Sequence, residues 1–298
     1  MTKSARRCGY CAIAGRPNVG KSTLLNRLIG QKLAITSPKP QTTRHSIIGV
    51  KSRVDGQIVY VDTPGMHQRS NHAMNRYLNQ TARSTLSDVH IILFVVEALN
   101  WTAEDESVLM SIAATKRPTI LVVNKIDRVK LKHRLLPFLS ETAARMEFAE
   151  VFPVSAKSGD NTESLENAVL NLLPPGENYF PEDQLTDRSE RFFASELIRE
   201  QLTRRYGKEI PYALTVEIDK FEEDGDLYRI HALIWVEREG QKSIIIGNKG
   251  AALKETARLA RIAMEKLYGK KVYLEIWIKT KKSWSSDEKA LINLGYSD

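Results

Sequence analysis

The sequence predicts an α/β fold, with a mostly parallel six-stranded sheet and helices on both faces, followed by a smaller α+β domain. Short apolar runs alternate with amphipathic segments across residues 8–173, the pattern of strand–helix–strand units. A GxxxxGK[ST] motif directly follows the first apolar run. Together these observations predict a phosphate-binding α/β domain in the first half of the chain.

The elements of this half are placed by apolar periodicity and by the breaks between periodic segments. Strands are expected at residues 10–14, 46–53, 57–62, 91–96, 119–124 and 151–154. The clearest helices are expected at residues 21–29, 103–115 and 162–172. Pro174-Pro175-Gly176 ends the last helix and opens a stretch rich in Pro, Asp and Glu. We therefore expect a first domain over 1–178, a linker over 179–190 and a second domain over 191–298.

The second domain begins with an amphipathic pattern over 191–206, which predicts a helix. Alternating strands are expected at 212–221 and 227–237, separated by an acidic turn at 222–226. A short helical segment at 242–246, the tetrapeptide Gly247-Asn248-Lys249-Gly250 and a long helix through 267 come next. A last strand at 272–279 completes an α+β domain.

Length and composition exclude several classes of protein. The chain has 298 residues, of which 42% are hydrophobic and 27% charged, as is typical of globular domains. No stretch approaches the roughly 18 apolar residues of a membrane span, and the N-terminus lacks a signal-peptide pattern. We expect a monomer in the cytosol. Cys8 and Cys11 have CxxC spacing, but no second CxxC or His pair completes a metal site, so Cys11 is expected to face inward from the first strand.

The net charge of +8 is unevenly distributed, and its distribution points to a nucleic-acid partner. Residues 181–240 contain 9 Lys and Arg against 15 Asp and Glu, whereas residues 241–282 contain 11 against 3. The cationic segment includes the GxxG tetrapeptide.

The phosphate loop follows the strand Cys11-Ala12-Ile13-Ala14. Its glycines allow backbone N–H groups to surround a phosphate at the N-terminus of the next helix. Lys21 is expected to reach the β and γ phosphates, and the Ser22 hydroxyl to bind Mg²⁺. The predicted nucleotide-binding residues of this loop are Gly15, Arg16, Pro17, Asn18, Val19, Gly20, Lys21, Ser22 and Thr23.

Asp62-Thr63-Pro64-Gly65 ends a strand at the same edge of the sheet. Asp62 is expected to hold Mg²⁺ through a water, and the Gly65 N–H to contact the γ phosphate, a contact that hydrolysis removes. A threonine from the loop between the first helix and the second strand is expected to complete the metal shell. Thr43 is preferred to Thr42, although the sequence leaves both open.

The base is read by Asn124-Lys125-Ile126-Asp127. The Asp127 carboxylate can accept two hydrogen bonds from guanine, and adenine does not offer that pair of donors, so the motif selects GTP. Ser155-Ala156-Lys157 is expected to supply backbone N–H groups to guanine O6. The predicted catalytic set is Lys21, Asn18, Thr43 and Gly65.

The second domain has the hydrophobic run and GxxG loop of a KH domain, in the type II order of elements. The paired glycines let a nucleic-acid backbone approach closely, and nearby cations meet its phosphates. The expected RNA-binding residues are Lys242, Ile246, Gly247, Asn248, Lys249, Gly250, Lys254 and Arg258.

The motifs GRPNVGKST, PQTTRH, DTPGMH, NKID and SAK occur in this order, and the chain resembles GTPases of the Era type. The second domain extends the likeness over nearly the full chain, through YFPED, SELIRE, VEREGQK and IGNKG. The resemblance implies a slow GTPase that binds the 3′ end of 16S rRNA and assists assembly of the 30S subunit. It also implies peripheral association with the inner membrane. The alternative is a GTP-dependent interaction module that docks on lipid or protein through its basic domain.

Ras-like enzymes have a glutamine where this chain has Met66, and a thioether cannot polarise the attacking water. By resemblance, Asn18 is expected to help ligate an activating K⁺ near the phosphates, where the cation replaces an arginine finger. The alternative is that Asn18 merely tolerates the loop conformation.

Overall fold

The computed structural model describes residues 6–65, 73–207 and 209–296. These residues divide into two compact units. The first runs through Asp187 but excludes Ser37–Thr42 and residues 73–74, which belong with the second unit; the main part of the second unit begins at Arg188. Met66 lies outside the described residues.

The first unit contains a six-stranded sheet in the order β2-β3-β1-β4-β5-β6, and all pairs are parallel except β2 with β3. The predicted fold class is therefore confirmed. The strands are β1 (Arg7–Ala14), β2 (Ile47–Arg53), β3 (Gly56–Asp62), β4 (Ile91–Glu97), β5 (Thr119–Asn124) and β6 (Glu150–Pro153). The helices are α1 (Lys21–Ile29), α2 (Ala73–Ser87), α3 (Ala103–Ala113), α4 (Leu135–Ala143) and α5 (Thr162–Leu172).

The central strands are almost wholly apolar because helices cover both faces of the sheet. Every residue of β5 is buried, as is every residue of β3. Strand β1 begins at Arg7, three residues earlier than the apolar run predicts, since its pairing with β3 starts at Gly56. Cys11 is fully buried in β1, as expected. The parallel order brings the carboxyl ends of β1, β3 and β5 to one edge, where polar loops follow.

The second unit has a three-stranded sheet in the order β7-β8-β9, with β8 antiparallel to β7 and parallel to β9. Its strands are β7 (Leu214–Asp224), β8 (Leu227–Val236) and β9 (Lys271–Thr280). Its helices are α6 (Glu190–Arg205), α7 (Glu239–Ile246), α8 (Ala251–Tyr268) and α9 (Glu288–Asn293). One side of the sheet buries Ile230, Ile234 and Val272 in a core that includes Ile198 and Ala260 of the helices.

The sequence-based bounds were wrong at the first hairpin of this unit. The expected acidic turn over 222–226 is mostly strand, because Glu222 pairs with Arg229 and Asp224 with Leu227. Only Gly225 and Asp226 form the turn, and Gly225 has a φ of 58°. Two-residue hairpin turns require positive φ, which glycine adopts without steric cost. Helix α7 also begins earlier than expected, at Glu239.

Candidate nucleotide site and nucleic-acid interface

The phosphate loop has the backbone conformation that its sequence demands. Asn18 has a φ of 65° and Gly20 a φ of 105°, both in a region that side chains other than Asn and Asp seldom adopt. The Lys21 ammonium donates to the carbonyl oxygens of Gly15 (2.9 Å) and Arg16 (3.0 Å). These two bonds fix the position of the Lys21 ammonium against the backbone of the phosphate loop. Burial lowers the pKa of Lys21 to about 8, against the opposing attraction of Asp62.

Three oxygen-bearing side chains converge beside this loop. The Ser22 hydroxyl donates to Asp62 Oδ2 at 2.7 Å and lies 2.8 Å from the Thr43 hydroxyl. The Thr43 hydroxyl lies 3.2 Å from the same carboxylate oxygen. Burial raises the pKa of Asp62, although the charge of Lys21 and the two hydroxyls act against the shift. The Thr42 hydroxyl is elsewhere, donating to the carbonyl oxygen of Lys39.

This donor set fits Mg²⁺. Hydroxyl and carboxylate oxygens are hard ligands, and Mg²⁺ is bound by few protein oxygens together with phosphates and water. Asp62 Oδ1 is buried and has no hydrogen-bond partner among the described residues. An unpaired buried carboxylate oxygen is costly unless a cation or water meets it.

The base-reading loop is tied to the phosphate loop through Asn124. Its amide donates to the carbonyl oxygen of Val19 at 2.8 Å and accepts from the Ala156 N–H at 2.9 Å. The Ala156 N–H, which we expect to meet guanine O6, lies beside Asn124 in this structure. Asp127 is exposed, and its carboxylate accepts from the Ser155 hydroxyl at 2.8 Å. This bond orients Asp127, and Lys157 is exposed next to the same loop.

A buried ionic network that the sequence reasoning missed supports both loops. The Arg16 guanidinium turns into the protein, where its Nε donates to Asp105 Oδ2 at 2.8 Å. Arg16 also reaches Glu97 Oε2 at 3.4 Å, and Lys125 pairs with Glu97 Oε1 at 3.0 Å. Burial raises the pKa of Glu97, but the hydrogen bond and charge of Lys125 outweigh it and leave the pKa below its ordinary value. Asp105 is fully buried and also caps α3 by accepting from the Thr102 N–H.

The only sequence signal for this network was a capping pattern, Thr102 followed by Asp105, which marks the start of α3. Glu97 joins Arg16 of the phosphate loop to Lys125 of the base-reading loop. In P-loop proteins the phosphate loop and the base-reading loop contact the same nucleotide. Because Glu97 pairs with a residue of each loop, it helps to fix the distance between the two loops.

The GxxG loop of the second unit connects α7 to α8. Gly247 has a φ of 71°, and a Cβ atom there would lie 2.5 Å from the Ala252 Cβ. The position therefore excludes every side chain. Asn248 and Lys249 are exposed, and Lys249 has a φ of 48°.

A groove of about 500 Å³ runs along α8 and reaches Leu274 of β9. Lys254 and Arg258, both predicted to bind RNA, line the groove, and Arg258 pairs with Glu255 at 2.8 Å. Lys242 and Ile246 lie on α7, before the loop, and Ile246 packs against the core of the unit.

This fold and this site define a P-loop GTPase joined to a KH domain. Residues 10–125 match the family described as 50S ribosome-binding GTPase, and residues 209–285 match the KH domain family. GTPase Era of Azotobacter vinelandii is 53% identical over 99% of both chains, and GTPase Era of Pseudomonas fluorescens Pf-5 is 52% identical over the full length of both. The chain belongs to the Era family of GTPases.

Solved structures agree with this assignment. A variant of Aquifex aeolicus Era bound to GDP and AlF₄⁻ superimposes with a TM-score of 0.95, at 36% identity, over 98% of this chain and all of its own. A structure of Era in complex with MgGDPNP and nucleotides 1506–1542 of 16S ribosomal RNA matches with the same score, identity and coverage. Within the described ranges, no helix is both long and apolar enough to cross a membrane.

Proposed function

We propose that this chain is a GTP-timed switch that binds the 3′ end of 16S rRNA and assists assembly of the 30S subunit. In this proposal residues 1–178 bind GTP, 179–190 are a linker, and 191–298 bind RNA. The observation that carries it is the presence, in one chain, of the Ser22–Thr43–Asp62 oxygen cluster and of a GxxG loop in a cationic segment. The Era relative that holds both MgGDPNP and a 16S rRNA fragment supports the same pairing of ligands.

Mg²⁺ is the proposed cofactor of the nucleotide site. Ser22 and Thr43 would hold it directly and Asp62 through water, in a cluster whose oxygens already lie within 3.2 Å of one another. When bound, the ion neutralises charge on the β and γ phosphates. Lys21 would add a second positive charge to the same phosphates, and Asp127 would orient the guanine.

The proposed switch is the loss of γ-phosphate contacts at Thr43 and Gly65 when GTP is hydrolysed. A Cβ atom at Gly65 would lie 2.9 Å from the Pro17 ring, so only glycine lets this backbone lie against the phosphate loop. Unassisted hydrolysis of this class proceeds at about 10⁻⁴ s⁻¹. Slow turnover is typical of a molecular switch, because the protein then stays in the GTP state long enough for a partner to distinguish it from the GDP state.

The proposal is tested by steady-state GTP hydrolysis in K⁺ buffer, with and without a short oligomer of the 16S rRNA 3′ end. We expect the oligomer to accelerate turnover of the unaltered protein. Gly247→Asp is the matched control: it should abolish the acceleration and leave GTP affinity unchanged, because the two sites use different residues. Equal rates with and without RNA, together with no measurable RNA affinity, would refute the proposal.

Sedimentation separates the proposal from the alternative of a lipid- or protein-docking module. Nucleotide-dependent co-sedimentation with 30S particles supports the switch. If the protein binds anionic liposomes and added RNA does not displace it, the alternative is supported, in which the basic domain docks on a membrane surface. Peripheral association with the inner membrane is compatible with the switch if 30S binding is also found.

We further propose that Asn18 ligates an activating K⁺. The residue is exposed in the phosphate loop and its φ of 65° suits either Asn or Gly. GTP turnover is expected to be faster in K⁺ than in Na⁺, and Asn18→Gly, which keeps the backbone conformation but removes the amide, should abolish the difference. A difference that persists in Asn18→Gly assigns the residue a purely conformational role.

A further inference from the structure

The outer face of the KH sheet presents exposed aromatic rings that the nucleotide site and the GxxG loop do not use. Side chains alternate along a strand, so Leu274 of β9 faces α8 while Tyr273 and Trp277 face away from it. Tyr273 is 47% exposed and Trp277 is 45% exposed. Single exposed apolar side chains are normal on protein surfaces, whereas grouped ones mark interaction sites. Tyr273 and Trp277 are grouped on one face of one strand, so we ask what they bind.

The two rings are held in place by their neighbours on β8. The Arg229 guanidinium lies 6.0 Å from the centre of the Tyr273 ring, and His231 packs edge-on against Trp277 with centroids 5.4 Å apart. Tyr273 and Trp277 are four residues apart on one strand, which separates their Cα atoms by about 13 Å. The two rings therefore lie on one side of the sheet, each beside a neighbour on β8.

Cationic side chains flank the rings at both ends of β9. Lys271 precedes Tyr273, Lys279 follows Trp277, and Lys282 lies just beyond the strand; all three are exposed. Among the described residues, none of the three forms an ion pair. Glu275 is the acidic residue between the rings, and it lies 3.8 Å from His231. Glu217 of β7, the strand at the opposite edge of the sheet, accepts from the Trp235 indole at 2.8 Å.

Rings on a rigid strand with cations at either end match the chemistry of a single-stranded nucleic acid. Unpaired bases stack on aromatic side chains whatever their identity, while Lys and Arg meet the phosphates between them. A duplex does not fit, because its bases are already stacked on one another and cannot reach a flat protein surface. Exposed lysine ammonium groups fit phosphate better than they fit an apolar protein surface.

We infer that the outer face of β9 is a second contact for single-stranded RNA, in which Tyr273 and Trp277 stack on bases and Lys271, Lys279 and Lys282 bind phosphates. Strand β9 is an edge of its sheet, and its inner side borders the groove below the GxxG loop through Leu274. A strand of RNA that leaves the groove over this edge therefore meets the two rings. The inference rests on the proposed RNA binding by the KH domain and lengthens its footprint.

The test compares two labelled RNAs from the 16S rRNA 3′ end by fluorescence anisotropy, on the full chain loaded with a GTP analogue. One is about 6 nucleotides long, enough for the four that a GxxG loop clamps, and the other is about 14 nucleotides long, enough to continue past the edge of the sheet. Each stacked base contributes to affinity, so the double variant Tyr273→Ala/Trp277→Ala should bind the long RNA at least ~10-fold more weakly. The short RNA should bind the double variant as it binds the unaltered protein.

Three controls keep the result specific. Tyr273→Phe/Trp277→Phe should retain most of the affinity, because stacking needs the ring and not its polar atom. Glu275→Gln should strengthen binding of the long RNA by about twofold, since it removes a negative charge beside the phosphates. Lys279→Gln should reduce the salt dependence of long-RNA binding by about 0.7 in the logarithmic slope, the value for one phosphate contact on a single strand.

The outcomes distinguish this inference from the function on which it rests. If Gly247→Asp abolishes binding of the short RNA while the double alanine variant binds the long RNA normally, the β9 contact is refuted and the KH assignment stands. If Gly247→Asp leaves binding of both RNAs intact, the proposed function itself fails. If the double alanine variant loses binding to anionic vesicles but not to RNA, the face is a lipid contact and the inference is wrong.

Discussion

Replacing Asp105 with Asn tests whether the ionic network around Arg16 slows dissociation of the nucleotide from the phosphate loop. Arg16 Nε donates to Asp105 Oδ2 at 2.8 Å, with the two side chains 11% and 0% exposed. Removing one partner of a buried pair costs about 3–5 kcal/mol. Arg16 keeps Glu97 at 3.4 Å and the Asn100 carbonyl oxygen at 3.3 Å, so we expect the lower end of that range.

Part of this loss is expected to appear at the nucleotide, because Arg16 belongs to the phosphate loop. If the loop relaxes by about half of the lost energy, GDP release accelerates by roughly tenfold, since about 1.4 kcal/mol is a factor of ten. The assay is the dissociation rate of a fluorescent GDP analogue, measured by stopped flow, with chemical unfolding of the same protein as the stability readout.

Glu106→Gln is the matched control for this prediction. Glu106 also lies in the first turn of α3, but it pairs with Arg145 near the surface, where its side chain is 39% exposed. Exposed pairs contribute about 0–1 kcal/mol, so this variant should release GDP at the normal rate. A release rate for Asp105→Asn within about twofold of the unaltered protein would refute the proposed coupling.

Three further predictions follow, the last with a matched control variant. Asp127→Asn should lower GTP affinity at least ~10-fold in a displacement assay, because each lost charge-assisted bond costs about 1.5–3 kcal/mol; unchanged affinity would mean that guanine is read elsewhere. Gly20→Ala should also weaken nucleotide binding, since its Cβ would lie 2.3 Å from Asn124 Nδ2 and displace the bridge to Val19, and normal affinity would contradict this. Trp284→Ala should lower the unfolding free energy by about 3–5 kcal/mol, because the ring is fully buried and its indole donates to a backbone carbonyl at 3.1 Å. Trp277→Phe, at an exposed ring, should cost less than about 1 kcal/mol in the same measurement.

The P-loop GTPase class was predictable because its sequence motifs are contiguous. In the phosphate loop, Gly15, Asn18 and Gly20 have positive φ, and Lys21 and Ser22 carry the charge and the hydroxyl that the motif requires. The order of strand, loop and helix around it is equally local. The KH domain was predictable for the same reason, since Gly247 meets a backbone requirement that no other residue satisfies.

The bounds of the first hairpin of the second unit were not predictable from local preference. The acidic run over 222–224 resembles a turn, yet Glu222 and Asp224 are strand residues because Arg229 and Leu227 pair with them across the hairpin. Cross-strand partners override the weak preference of acidic residues for turns.

The sequence by itself determined that this chain binds a guanine nucleotide and has a KH domain with a GxxG loop, because each of those motifs is formed by residues that are adjacent in the chain. Only the tertiary structure decided that Thr43, and not Thr42, meets Ser22 and Asp62, and that Arg16 pairs with a carboxylate 89 residues away. It also decided that Tyr273 and Trp277 share an open face. Such contacts depend on strand order and on which side of a sheet a residue faces, and packing of the whole domain sets both.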